Sequence, residues 1–573
     1  MGGISRRLLR AASCILLSQA PAPAVELAPV SELARGMRGY GLTVVEGTRI
    51  DTFGVEILGV ERNSMLPGRD VILVRLSGLG LEETGLVAGM SGSPVYVEGR
   101  LVGAVAWGWF AADEPVGLLT PIHEMLAVME RDLSTPARGS AAAPAPARPS
   151  GLVRLAAPVW VSGVGRGTAQ RMTELLSPLG LEPLLSPAGE DPSLDTPPLR
   201  AGSAVGVQLV GGDLSMVGIG TVTHVDGDRL VAFGHDFVGS GAIDLPMTGA
   251  HIFGVLDHRF RSFKLGAATA TVGAVRQDRF GGIAGLTGAR AGVLPVEMAV
   301  APEGETREFR FEVARHRFFT AGLIQSALIG ALESTSKVIG EASIDLNIDI
   351  ELDDGRKVTW DQIYSGVDAT FAAAIDAGTP LRALVRSSFE GVRLAGVRMR
   401  ADVREEVRVA RLSGASLDRP GVRAGEEVTV SVRLSPYRSA ERVLQIPVRV
   451  PADAAGELGV RVGSGRSANG WEEERLGAGP PADSEELLRR LNRPRREDEL
   501  VVLLTVAEPG LTVDGRELPS PPPSVHRLLS QSPVAGTTRM VAWRVLTEER
   551  VPAGFVLRGE QSLVLEVDPE GRR

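Results

Sequence analysis

The stretch VAGMSGSPVYVEGRLVGAVAWG, residues 87–108, sets one serine between two glycines and follows it at once with a proline and a run of apolar residues. Glycine enters left-handed backbone that strains other residues, so Gly89 and Gly92 permit a sharp turn around Ser91. Such a turn exposes one hydroxyl and gathers backbone N–H groups about a single point. Pro94 opens a strand, and the apolar residues on either side of Glu98-Gly99 read as the two arms of a short hairpin.

The same texture extends outward. TVVEGTRI, FGVEILGV and DVILVRLSG are short apolar runs broken by turns, the mark of a small antiparallel barrel or sandwich over residues 25–133. TPIHEMLAVMERDL closes that unit, with Ile122, Met125, Leu126 and Met129 at helical spacing. STPARGSAAAPAPARPSG has no means of building a core, so residues 134–152 read as a Pro/Ala linker. A second β-rich domain follows over 153–300, then a mixed α/β segment over 301–400. Val428, Val430, Val432 and Leu434 alternate along EEVTVSVRL, which points to a β-sandwich-like accessory domain over 401–573. Within it, the Gly- and Ser-rich residues 463–486 read as a flexible excursion.

Composition narrows the function. The chain has 573 residues, 44% hydrophobic and 23% charged, which suits several globular domains. A net charge of −9 without a basic block gives no support for a nucleic-acid partner. Aromatic residues make up 4% and there are 69 glycines, a balance that favours turn-rich β structure over helical bundles. Lysines stand only at Lys264, Lys337 and Lys357; arginine supplies every other basic side chain. Arg6, Arg7 and Arg10, a short apolar core from Ala11 to Ala20, and Ala22-Pro23-Ala24 read as an export signal over 1–24. The expected location is therefore periplasmic or extracellular, and no stretch is long and apolar enough for a transmembrane segment. Cys14, the one cysteine, lies inside that signal, so thiol chemistry and disulfides are not expected of the mature chain. His123, His224, His251, His258 and His316 show no H-E-x-x-H spacing, and neither a metal nor another cofactor is expected.

The run GMSGSPVYVEGRLVGAVAWGWFAADEPVGLLTPIHEML resembles the C-terminal barrel of chymotrypsin-like serine proteases. The order of parts agrees: serine loop, hairpin, a strand ending Ala106-Trp107-Gly108, a surface loop, a strand near Gly117 and a helix. A closer resemblance is to the SpoIVB-type peptidases, the sporulation signalling serine proteases. They share G-x-S-G-S-P and a G-x-G-T-x-T…G-H segment, present here as Gly218-Ile219-Gly220-Thr221-Val222-Thr223 and Gly234-His235. In those proteases the His precedes the Ser, whereas here Ser91 comes first, so the resemblance implies two chymotrypsin-like barrels in permuted order. A PDZ module like theirs is not recognisable.

The resemblance implies an exported serine endopeptidase acting on a protein or peptide substrate. Ser91 would be the nucleophile, His235 the general base, and the N–H groups of Gly89 and Ser91 the oxyanion donors. Asp278 is the favoured orienting acid and Asp70 its rival. Gly85, Trp107 and Gly108 would line an uncharged substrate pocket, and the strand at Trp107-Gly108 would pair with substrate backbone. The rival reading is a protease-fold envelope protein that binds an envelope-associated partner without cleaving.

Overall fold

Alternating apolar residues become two closed rings of strands. The computed structural model describes residues 25–109, 114–137, 152–155, 158–177, 181–186, 189–258, 262–335, 340–477, 479–508, 510–513, 516–518, 521–531 and 539–568. The expected export signal and most of the expected linker lie outside them. Strands hold 53% of the described residues and helices 17%, which makes the fold mainly β.

The first ring uses β1 (Arg38–Glu46), β2 (Arg49–Leu66), β3 (Arg69–Ser77), β4 (Pro94–Val97), β5 (Arg100–Trp109) and β6 (Val116–Pro121). Its order is β4-β1-β2-β3-β6-β5, and β4 also pairs with β5, which closes the barrel. Phe53, Val55 and Ile57 on β2 and Ile72, Val74 and Leu76 on β3 point inward at period two and fill it. A short helix, α1 (Leu81–Thr84), leads from β3 into the serine loop, and α2 (Ile122–Met129) follows β6 with Ile122, Met125 and Met129 buried. One further strand, β7 (Leu152–Arg154), lies outside the ring on β5.

Thirteen strands make the second sheet. They are β8 (Pro158–Ser162), β9 (Glu182–Leu185), β10 (Ala204–Gly212), β11 (Ser215–Asp226), β12 (Arg229–Ala232), β13 (Gly241–Leu256), β14 (Phe263–Arg279), β15 (Gly282–Thr287), β16 (Val293–Pro302), β17 (Arg307–Ala314), β18 (Ala342–Leu352), β19 (Lys357–Gly366) and β20 (Leu394–Arg404). Six of them run β10-β13-β14-β15-β12-β11, and the pairing of β10 with β11 closes a second ring. The sheet then continues from β10 through β17, β16, β20, β18 and β19. The boundary expected at residue 300 thus falls inside β16, which pairs parallel with β20 about a hundred residues on. Composition carries no trace of so distant a pairing. Three helices flank this sheet: α3 (Arg166–Leu176), α4 (Thr320–Thr335) and α5 (Ala369–Arg386). Buried residues run along α4 from Thr320 to Leu332, as its place between other elements requires.

Beyond residue 404, a four-stranded and a five-stranded sheet share one core containing Val428, Val430, Val432 and Leu434, the sandwich that their alternation predicts. Residues 463–486 depart from expectation. They contain a helix, Gly465–Leu476, and the start of another, Ser484–Leu491. Ser464 and Asp483 cap them by accepting from the N–H groups of Ser467 and Glu486. Two caps of this kind outweigh the poor helix propensity of Gly and Ser.

Candidate active site at the junction of the barrels

The two barrels meet at the serine loop. Gly89 (φ +95°) and Gly92 (φ +89°) occupy the left-handed conformations that the sequence predicts. Strand β11 of the second barrel holds the loop by its carbonyls. The Thr221 hydroxyl donates to Gly89 O at 3.0 Å, the Thr221 N–H to Ser91 O at 2.8 Å, and the Thr223 hydroxyl to Gly92 O at 2.7 Å. The two threonines of the G-x-G-T-x-T run therefore clamp the loop that carries Ser91. Among the described residues, no acceptor is found for the N–H groups of Gly89 and Ser91. The Ser91 side chain is fully buried, and its Oγ has no hydrogen-bond partner among the described residues.

His235 follows β12 of the second barrel. Phe233 (φ +72°) and Gly234 (φ +69°) are both left-handed, which strains Phe233 but not the glycine and turns the chain sharply after β12. Gly92 has no room for a Cβ against the Phe233 backbone, and Gly234 abuts Val105 O, so the turn lies directly on the first barrel. Thr120 of β6 donates to Gly234 O at 2.5 Å. The imidazole is 1% exposed, with Nδ1 2.8 Å from Asp236 O and Nε2 3.2 Å from Leu155 O. The Trp107 ring stands 5.9 Å from it.

Asp278 sits elsewhere than expected of an orienting acid. Its carboxylate accepts the N–H groups of Phe237 at 2.7 Å, Val238 at 2.9 Å and Ser240 at 3.2 Å, so its hydrogen bonds fasten the turn after His235. Burial, and then the nearby Asp236 charge, push Asp278 up to about 6, against the pull of those three donors. Ser240 extends the network, because His316 Nε2 lies 2.9 Å from its Oγ. Since the Phe318 N–H donates to His316 Nδ1, the ring proton is on Nε2 and is given to Ser240. Asp70 accepts the Asn63 N–H within the β2–β3 hairpin.

The expected pocket residues are close together, but the space between them is filled. A Cβ added at Gly108 or Gly117 would come within 2.5 Å and 2.9 Å of Leu86 Cδ1. Gly85 ends α1, its N–H bonded to Leu81 O at 2.9 Å. Trp107 is fully buried. The backbone of Trp107 and Gly108 pairs with Arg154 and Val153 of β7, an occupant the sequence reading did not foresee.

Lys264 was also missed. It is buried throughout, its Nζ 2.8 Å from Thr43 Oγ1 and 3.4 Å from Thr221 Oγ1, while its methylenes pack against Gly89. Burial alone pushes it down to about 7. Its rarity was the available signal, one of three lysines in an arginine-rich chain. Among the described residues, no cluster of His, Asp or Glu is placed to hold a metal, and no helix is long and apolar enough to cross a membrane.

Comparison with known proteins places one part of the chain. No curated protein and no solved structure matches it. Residues 17–126, which include the serine loop and most of the first barrel and end ahead of His235, match the model of the SpoIVB peptidase family S55, a likeness that supports a SpoIVB-type family for that part of the chain.

Proposed function

We propose that the protein is an exported serine endopeptidase in which Ser91 is the nucleophile and His235 the general base. The observation that carries this reading is the state of the serine loop. Three of its carbonyls are tied to β11, while the Ser91 hydroxyl and the N–H groups of Gly89 and Ser91 are left for something else. Buried polar groups are normally satisfied, and exceptions concentrate where chemistry occurs.

The steps follow from that arrangement. With its Nδ1–H given to Asp236 O, His235 presents a bare Nε2 that takes the Ser91 proton as Oγ attacks the peptide carbonyl. The resulting oxyanion is received by the N–H groups of Gly89 and Ser91. Nε2 then hands its proton to the departing amine, and water repeats the sequence to release the acid. Asp278 serves as a positioning residue, by fixing the turn that aims the ring. The basic and apolar pattern of residues 1–24 supports export.

A fluorophosphonate probe reads the central claim. It should label Ser91, found by mass spectrometry of the modified peptide, in the intact chain or in Leu155→Ala, which loosens the contact at His235. Labelling should disappear in Ser91→Ala and fall at least a hundredfold in His235→Ala. If Ser91 stays unlabelled in both chains, the peptidase reading fails and a non-cleaving binding protein takes its place.

A further inference from the structure

We propose that residues 152–155 occupy the place of the substrate, so that the chain carries its own occupant of the cleft and is latent until that occupant is displaced. The proposal rests on the peptidase reading of Ser91 and His235 and names what their cleft binds.

The observation is a register. A protease that recognises an extended peptide offers it a strand edge for backbone pairing and a recess for one side chain beside the catalytic groups. Here β5 offers the edge at Ala106–Trp109, and β7 lies on it antiparallel, with Trp107 opposite Arg154, Gly108 opposite Val153 and Trp109 opposite Leu152. The Leu155 N–H donates to Ala106 O at 3.0 Å. Antiparallel ladders alternate, so the next pair exchanging hydrogen bonds is Val153 with Gly108. The segment is thus read through its backbone, the part of a peptide that every sequence shares.

Leu155 then ends the strand at His235. Its side chain is 4% exposed and joins the apolar cluster of Leu81, Val87 and Met90, with Leu86 packed alongside. Its carbonyl oxygen lies against Nε2 of His235. A peptide in this register brings a medium-sized apolar side chain into the cluster and its carbonyl to His235. The chemical class of substrate is therefore an extended chain with a leucine-like residue where Leu155 stands.

The pose is also inhibitory. Carbonyl oxygens face both ring nitrogens, Asp236 O at Nδ1 and Leu155 O at Nε2. The tautomer a general base needs carries its proton on Nδ1 and keeps Nε2 bare, and Leu155 O then confronts a lone pair. Satisfying Leu155 requires a proton on Nε2, which removes the base. The Leu155 oxygen moreover turns to histidine, while the N–H groups of Gly89 and Ser91 have no acceptor among the described residues. A strand held this way blocks the cleft without being aligned for attack.

The test separates binding from catalysis. In the Ser91→Ala chain, a fluorescein-labelled peptide with the sequence of Pro149–Leu155 is titrated by anisotropy against three forms: the parent, Val153→Pro, which deletes a ladder donor, and the milder Leu155→Ala. The peptide should bind the two altered forms at least tenfold tighter than the parent, and a peptide ending in Asp should bind tenfold more weakly. Equal binding to all three forms, or none to either altered form, overturns the proposal. In chains that keep Ser91, Leu155→Ala should react with the fluorophosphonate at least tenfold faster than the parent. Equal rates overturn latency, as does a new N-terminus at Ala156 that appears with Ser91 and not with Ser91→Ala. Peptide binding without labelling of Ser91 keeps the groove and removes the peptidase; labelling without peptide binding does the reverse.

Discussion

The serine loop and the turn after His235 treat their polar groups in opposite ways. Residues 89–92 leave a buried hydroxyl without a partner among the described residues. Residues 237–240 send three N–H groups to one carboxylate and pass the network on through Ser240 to His316. The first arrangement costs stability and is useful only if another molecule completes it; the second is self-contained and rigid. Two buried polar sites thus differ in what they ask of their surroundings: the proposed function gives the first a chemical duty, and the second is structural.

Replacing Ser91 with Ala tests the sharper half of that contrast. Peptide cleavage and probe labelling should fall by a factor on the order of 10⁴ or more. Stability should hold or rise by ~1 kcal/mol, because the lost hydroxyl is buried without a bond. A denaturant melt showing Ser91→Ala less stable by more than that would mean that the hydroxyl has a structural partner, and the contrast would collapse.

Lys264, packed against Gly89, is a further buried polar group beside the serine loop, and its two threonine partners bring no charge to it. It is held down to about 7 by burial, against an ordinary value of 10.5. Between those two values the unfolded chain binds a proton that the native chain lacks, so stability rises with pH through this window. Lys264→Met removes the term. The stability of the parent relative to this variant should climb between pH 7 and pH 10.5, by no more than ~5 kcal/mol. A difference that stays flat across those melts would place a buried anion beside Nζ.

Asp278 is the structural counterpart. Asp278→Asn keeps one acceptor but turns amide hydrogens toward backbone donors, with an expected cost of about 3 kcal/mol at neutral pH. Its carboxyl is raised from 3.8 to about 6, so in that window the native state holds a proton the unfolded chain has released. The parent should therefore lose up to ~3 kcal/mol relative to the variant as pH rises from about 4 to about 6. A relative gain over the same range would show that the three N–H donors outweigh burial.

Sequence reading reached the shape of the serine loop because its requirements are local. Gly89 and Gly92 must be left-handed, and their spacing around Ser91 is visible in six letters. Helix α2 and the C-terminal sandwich were legible for the same reason, through periodicity within one element. Asp278 was not, since which N–H groups a carboxylate meets depends on a turn some forty residues away in sequence. The continuous second sheet escaped because β16 and β20 meet only in the fold. Leu155 escaped because apolar residues after a Pro/Ala linker look like the start of the next domain, and only strand pairing returns them to the first barrel.

The smallest expected effect concerns the seam between the two regions. Thr223 gives one hydrogen bond to Gly92 O, and its methyl and backbone remain in place in Thr223→Val. One buried hydrogen bond is worth about 1 kcal/mol, and the orphaned carbonyl sets the upper end of that cost. The loop would lose one of its three tethers to β11 and keep the two from Thr221. Ser91 labelling, measured in the Leu155→Ala chain so that the cleft is open, should slow about tenfold, since small displacements of a nucleophile are expensive. A control at Thr120, which serves the histidine turn through Gly234 O, should show a similar stability loss. If Thr223→Val loses stability while labelling stays unchanged, β11 braces the barrels without positioning the serine, and both regions are structural at their seam.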